Sequence, residues 1–274
     1  MTLHIYYRHT PVTRSSGKSR PPWFSHANCL VNLLDTITDH LADGSVRLNV
    51  LFDGTEADMR ADFAIGHIAQ RIAAQPGAAA GITERRIEGG TQRTAWRACV
   101  GIVKEDAKTR LASGDLVYLL ENDYLHMPGW VDEVFALRSQ GIEWDYLTLY
   151  DHPDKYPNQC DHVDAARYRA LPARLFASSR RHWRTTPSTC ASYMLSRETF
   201  LQDHAVLRLG LYDLRLFRLL TSLKRRTLIS PLPAMSTHCM AGLLAPIVDW
   251  ELLAKGVRTA PTIAQAPHDV AGAS

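Results

Sequence analysis

The stretch LVYLLENDYLHMPGW, residues 116 to 130, ends a strand-length apolar run on Glu121, Asn122 and Asp123. Two carboxylates flanking an amide are costly to bury and add nothing to packing. They read either as a polar turn, with Pro128 opening the helix that follows, or as oxygen ligands for a hard divalent cation. Two more acidic spots fall at strand ends: Asp53-Gly54 after VRLNVLF, and Asp151-His152 after YLTLY. Each alone is an ordinary turn, Asp-Gly being the commonest of turn pairs. Together they line the carboxyl edge of the expected sheet, the edge where α/β proteins keep their ligands.

Elements of two periodicities must hold these residues in place. LHIYY (3–7) and VRLNVLF (46–52) are β-branched or aromatic runs of strand length. Between them Cys29, Leu30, Leu33, Leu34, Ile37 and Leu41 recur at helical spacing, and Asp43-Gly44 closes the segment. Met59, Phe63, Ile68 and Ile72 predict a second helix before Pro76-Gly77. A third follows Gly89-Gly90-Thr91 and carries Trp96, Val100 and Val103 on one side. DLVYLL, a helix from Trp130 to Leu137 and the strand YLTLY (146–150) complete the alternation. It predicts an α/β fold with a mostly parallel central sheet flanked by helices on both faces. Over 151–187 periodicity fades into Pro, His, Asp and Arg. CASYMLS then reads as a strand, followed by a helix from Arg197, another over Tyr212 to Ser222, and the short strand TLIS. A Pro-punctuated loop leads from there to His238.

Composition narrows the function class. The 274 residues are 46% hydrophobic and 22% charged, with a formal net charge of only +3, so bulk charge gives no reason to expect nucleic acid. No run approaches the roughly 20 apolar residues of a membrane helix, and MTLHIYYRHT alternates like a strand rather than a signal peptide. Cys29, Cys99, Cys160, Cys190 and Cys239 are odd in number and scattered, which fits reduced thiols in the cytoplasm.

The order of these parts resembles the GT-A glycosyltransferases of the bacterial and phage family 2 type, which use nucleotide-diphosphate sugars. The resemblance spans roughly residues 3 to 250. It is carried by the strand ending at Asp53, the Gly-Thr helix start, LLENDYLHMPGW, LYDLRLF and STHCMAGLLAPIVDW, with GKSRPPWFSHANCLVNLL and LYDHPDKY beside them. It implies a nucleotide-sugar-binding half over 1–150 and an acceptor-binding and catalytic lobe over 151–258, while the Ala, Pro and Gly of 259–274 predict a disordered tail. END takes the place of that family's D-x-D motif, which puts Mn²⁺ or Mg²⁺ on Asp123 against the donor's diphosphate. Glu121, which departs from the family's Asp, would stand behind the ion or contact ribose, with Asn122 also on the donor side. His238 would return from the C-terminal region as a second ligand; otherwise it is one of 12 histidines with no special task.

Further roles follow from the resemblance. Arg8, Thr10, Pro11 and Asp53 would surround the base and ribose. Thr91, Arg93 and Arg97 would reach the diphosphate, helped by a helix N-terminus that favours anions. A UDP-sugar donor and an inverting transfer are implied, and inversion needs a base to deprotonate the acceptor hydroxyl. Asp213, opening a helix after Gly210, is the first candidate, although an N-cap would explain it equally; Asp151 is the second.

The acceptor would meet AARYRALPARLFASSRRHWR (165–184), six arginines interleaved with Tyr168, Phe176 and Trp183. His152, Arg180, Arg181 and Trp183 would bind a saccharide there. The same basic and aromatic mix could instead hold DNA with a hydroxymethylated base turned out of the stack, or be a solvated arginine-rich surface. Two other classes stay open. A nucleotidyltransferase would share the acidic edge, but TRSSGKSRPP (13–22) has its lysine without the repeated glycines. A catalytically silent sugar-binding module would need neither Asp123 nor His238.

Overall fold

The computed structural model describes residues 1–11, 18–156 and 171–257. Four parallel strands form the first half of its sheet in the order β3 (Ile82–Ile87), β2 (Val46–Asp53), β1 (Leu3–His9) and β4 (Leu116–Glu121). Helix α1 (His26–Asp43) covers one face with Cys29, Leu30, Leu33, Leu34, Ile37 and Leu41. It begins where Ser25 accepts the Asn28 N–H at 3.0 Å and stops at Gly44, whose φ of 79° suits a residue without Cβ. Helix α5 (Gln92–Thr109) covers the other face with Trp96, Cys99, Val100 and Val103. Burial on both faces is what makes β1, β2 and β4 nearly continuous apolar runs.

The structure departs from the sequence reading at three places in this half. Strand β3 was not expected, because TERR between its isoleucines is polar; as an edge strand it has little to bury. The helix expected through Met59 to Ile72 is broken into α2 (Glu56–Ala61) and α3 (Phe63–Ala74). Asp62 makes the break: its backbone is extended (φ −77°, ψ 135°) and its carboxylate accepts the Ala64 N–H at 2.7 Å, capping α3. A single turn, α4 (Pro76–Ala79), follows.

Beyond β4 the sheet becomes mixed. Strand β9 (Tyr193–Ser196) runs antiparallel between β4 and β6 (Tyr146–Leu147), and β10 (Leu228–Leu232) pairs parallel to β6. Only the first two residues of YLTLY are therefore strand. The edge is built by β8 (His182–Thr185) and β7 (Leu175–Ala177), within a stretch that carries no strand periodicity. Helices α6 (Trp130–Ser139), α7 (Arg197–Leu207), α8 (Asp213–Arg218) and α9 (Trp250–Gly256) flank the sheet, α8 running into a π turn at Leu219–Leu223. The expected tail at 259–274 lies outside the described residues. No helix among them is long and apolar enough to cross a membrane.

A separate two-stranded ribbon matters most for the site. Strand β5 (Tyr124–His126) follows END directly and pairs antiparallel with β11 (Ser236–His238), in a register that sets His238 opposite Tyr124. Their rings stack 5.1 Å apart. Asn32 clamps α1 to the same ribbon, accepting the His126 N–H at 2.6 Å and donating to the His126 carbonyl at 3.0 Å.

Candidate active site

A cavity of about 960 Å³ opens at the carboxyl ends of β1, β2 and β4. The size suits a small-molecule ligand. Arg8, Thr10 and Pro11 line it from the end of β1, Asp53 from β2, Thr91 from the start of α5, and Glu121, Asn122 and Asp123 from the end of β4. These eight expected donor-side or metal-site residues are brought together. Arg93 and Arg97 are not. Their Nε atoms donate to the Leu209 and Arg208 carbonyls, both at 3.3 Å, because their side of α5 faces the end of α7.

Each strand end is fixed by its own polar contacts. Arg8 Nη2 meets Glu121 Oε1 at 2.8 Å, and its guanidinium lies 5.0 Å above the Trp96 ring. Asp53 Oδ1 accepts the backbone N–H groups of Gly89 at 2.7 Å and Gly90 at 3.3 Å, holding the loop before α5 against β2. Gly89 is required there: a Cβ would stand 2.3 Å from Asp53 Oδ2 and 2.5 Å from the Ala95 methyl. Gly89→Ala is therefore expected to displace this loop and weaken binding of any ligand that the cavity holds against it about tenfold, the loss of one charge-assisted hydrogen bond. Titration calorimetry would measure it, and unchanged affinity would remove Asp53 from the donor site.

Asp123 is the most heavily engaged carboxylate. Its Oδ2 meets His238 Nε2 at 3.0 Å, Arg20 Nη2 at 2.8 Å and Lys18 Nζ at 3.5 Å. Burial alone would raise its pKa. The His238 ring, Lys18 and Arg20 outweigh burial and hold the carboxyl well below the usual range. Pairing of β5 with β11 thus brings His238 to Asp123, as expected.

The fit to Mn²⁺ or Mg²⁺ is another matter. No group of three His, Cys, Asp or Glu side chains converges among the described residues. Asp123 Oδ1 and His238 Nδ1 lack partners there, but Nδ1 is on the far side of the ring from the carboxylate. The atoms that face each other, Oδ2 and Nε2, are already joined. The two cations Lys18 and Arg20 on the same oxygen add a charge conflict, since like unit charges about 4 Å apart repel by about 4 kcal/mol at an effective dielectric of about 20. As arranged, this donor set does not fit a resident divalent ion.

Asp213 keeps its place as the candidate base, for a different reason. Tyr212, not Asp213, is the N-cap of α8, and among the described residues no side chain or backbone group hydrogen-bonds the Asp213 carboxyl. Capping therefore does not explain this carboxyl. Burial pushes its pKa up to about 7, helped by the negative charge of Glu121 and opposed by Arg8 and Lys18. The residue lies outside the cavity lining, although Glu121, Arg8 and Lys18, whose charges act on it, belong to that lining.

Of the expected catalytic and acceptor residues, Asp151 and Trp183 are corrected. Asp151 is 1% exposed and tied to Arg184 and Tyr156, so it has no freedom to take a proton from a substrate. Trp183 is fully buried in the core, its Nε1 donating to Ser178 at 3.1 Å, and cannot stack on a ligand. Arg181 donates to the Pro233 carbonyl at 2.9 Å, Arg180 lies 3.4 Å from Glu133, and His152 pairs with Asp154 at 2.9 Å. None of these five residues lines the cavity. Arg167, Arg169 and Tyr168 lie outside the described residues.

Four participants escaped the sequence reading. Lys18, Arg20 and His26 line the cavity, and His26 Nδ1 lies 3.0 Å from the Asn122 carbonyl. His9 Nδ1 accepts from the Asn122 amide at 3.1 Å while Nε2 meets Asp62 at 3.0 Å. The signal for the first two was present in GKSRPP, which was weighed above as an imperfect nucleotidyltransferase loop and as part of the family resemblance, without a role for either residue.

No family model matches the sequence, and no curated protein matches it. Solved structures do. The galactosyltransferase LgtC, in complex with donor and acceptor sugar analogues, is similar at a TM-score of 0.39 and 12% identity, over 80% of this chain and 70% of that one. A protein assigned as a nucleotide-diphospho-sugar transferase from Desulfovibrio desulfuricans G20 is similar at a TM-score of 0.42 and 11% identity, over 84% and 80%. Both scores are below 0.5.

Proposed function

We propose that this chain is a glycosyltransferase that moves a sugar from a nucleotide-diphosphate donor to an acceptor hydroxyl. The observation that carries the reading is the cavity at the carboxyl ends of three parallel strands. Its lining runs from Asp53 and the Gly89–Thr91 loop to Lys18 and Arg20 beside Asp123. Such an edge is where α/β sheets hold nucleotides. The base and ribose would lie along Thr10, Pro11 and Asp53. The diphosphate would face Lys18, Arg20 and the N-terminus of α5, an 18-residue helix whose first N–H groups favour anions.

In the transfer, the acceptor hydroxyl oxygen attacks the anomeric carbon as the bond to the diphosphate oxygen breaks. Asp213 takes the hydroxyl proton, and Lys18 and Arg20 stabilise charge on the departing diphosphate. An inverting outcome follows from direct attack with a single base. A saccharide is the favoured acceptor, because Trp183 is buried in the core and Arg184 is paired with Asp151, which removes two of the residues that motivated DNA. A UDP-sugar is the proposed donor.

The test is calorimetric titration of UDP and GDP into the full chain, with and without Mn²⁺. Binding of one nucleotide in the micromolar range is expected. Failure of both under every condition would reduce the strand-end carboxylates to turn residues and end this reading.

A further inference from the structure

The two cations at Asp123 bear on how the donor is held. We propose that Lys18 and Arg20, seated on Asp123, take over the work of a divalent cation, so that this chain binds a nucleoside diphosphate without metal. The inference rests on the donor reading above and goes beyond it.

Arg20 is held at three points. One Nη donates to the Cys239 carbonyl at 2.7 Å, the other to Asp123 Oδ2 at 2.8 Å, and the guanidinium stacks 4.5 Å above the Phe24 ring. Its side chain is 16% exposed, so its position is set before any ligand arrives. Lys18 Nζ stands 3.5 Å from the same carboxylate oxygen with a side chain 36% exposed, free enough to turn a proton toward a phosphate. Both line the cavity.

Asp123 then has a clear task, which is to place the two cations. Asp123 flanked by Lys18 and Arg20 makes a local group with one net positive charge, the sign a diphosphate needs. Arg offers a rigid fork and Lys a mobile point charge, the two modes by which proteins grip phosphate oxygens. His238 closes the remaining side of Oδ2, orienting the carboxylate rather than ligating an ion.

The deciding experiment titrates UDP and GDP into the full chain in excess EDTA, then in Mn²⁺, for wild type and Lys18→Gln. Uridine and guanosine serve as phosphate-free controls. Wild type should bind the same nucleotide equally well in EDTA and in Mn²⁺, with affinity falling as salt is raised. Lys18→Gln should weaken that binding about tenfold, the loss of one charge-assisted contact, and leave the nucleoside control unchanged. Arg20→Lys provides a second variant that keeps the charge but loses the fork; a thermal melt checks that it folds. Nucleotide binding that requires Mn²⁺, or that ignores Lys18→Gln, overturns the inference while the donor reading stands. Absence of binding with and without metal overturns both.

Discussion

Asp213→Asn is expected to lower sugar transfer by about 10²- to 10⁴-fold, the usual contribution of a positioned general base. Nucleotide affinity should stay unchanged, because Asp213 does not line the donor cavity. With the carboxyl raised to about 7, the wild-type rate should rise with pH through 7 and level off above it, as the base loses its proton. The stability effect has the opposite sense. A carboxyl whose folded pKa exceeds its unfolded value binds more protons folded, so its contribution is full below the unfolded pKa and is lost as pH rises to about 7. Wild type should therefore lose stability between about pH 4 and pH 7 relative to Asp213→Asn. Donor-release assays across pH, beside urea melts, would measure both. A variant within threefold of wild-type activity, with the same pH profile, would remove Asp213 from the chemistry.

What could be read from the sequence divides along physical lines. Strands β1, β2 and β4 and helices α1 and α5 announce themselves because they are buried on a whole face or stripe, and burial imposes apolar periodicity. END was legible because carboxylates at the end of an apolar strand have no packing reason to be there. Edge strands lack that signal: β3 reads as polar, and β7 exposes Leu175 at its start. The arginine-rich stretch misled for the same reason. Composition cannot tell a solvated arginine from one whose partner lies far along the chain, and Arg184 finds its partner in Asp151, 33 positions away. Trp183 similarly looked like a stacking platform, although its place in β8 points it into the core. Lys18 and Arg20 become intelligible only when β1, β4 and β11 converge, since their meaning depends on Asp123 from a segment more than 100 residues distant. His238 was legible for a different reason, its position after a Pro-rich loop rather than on an apolar helix face.

Asp62→Ala should cost about 2–4 kcal/mol of folding free energy from a lost helix cap and an orphaned buried donor. The residue does two jobs with one oxygen: Oδ1 accepts the Ala64 N–H that starts α3 and meets His9 Nε2 at 3.0 Å. With the Asn122 amide donating to His9 Nδ1, the ring carries its proton on Nε2 and directs it at Asp62. His9 is only 2% exposed and packed edge-on against Phe63, so no water replaces a missing acceptor. The loss should therefore travel along the line Asp62–His9–Asn122 and loosen END itself, weakening nucleotide binding about tenfold through one misplaced polar group. Asp62→Asn separates the contributions. It keeps a side-chain oxygen for both the cap and the imidazole, and should cost under about 1 kcal/mol with near-normal affinity. Urea melts and calorimetry on the two variants decide the matter. Equal damage from Ala and Asn would mean that charge, not the shared acceptor, matters at position 62, and Asp62→Ala with intact affinity would cut the link between the α2–α3 break and the site.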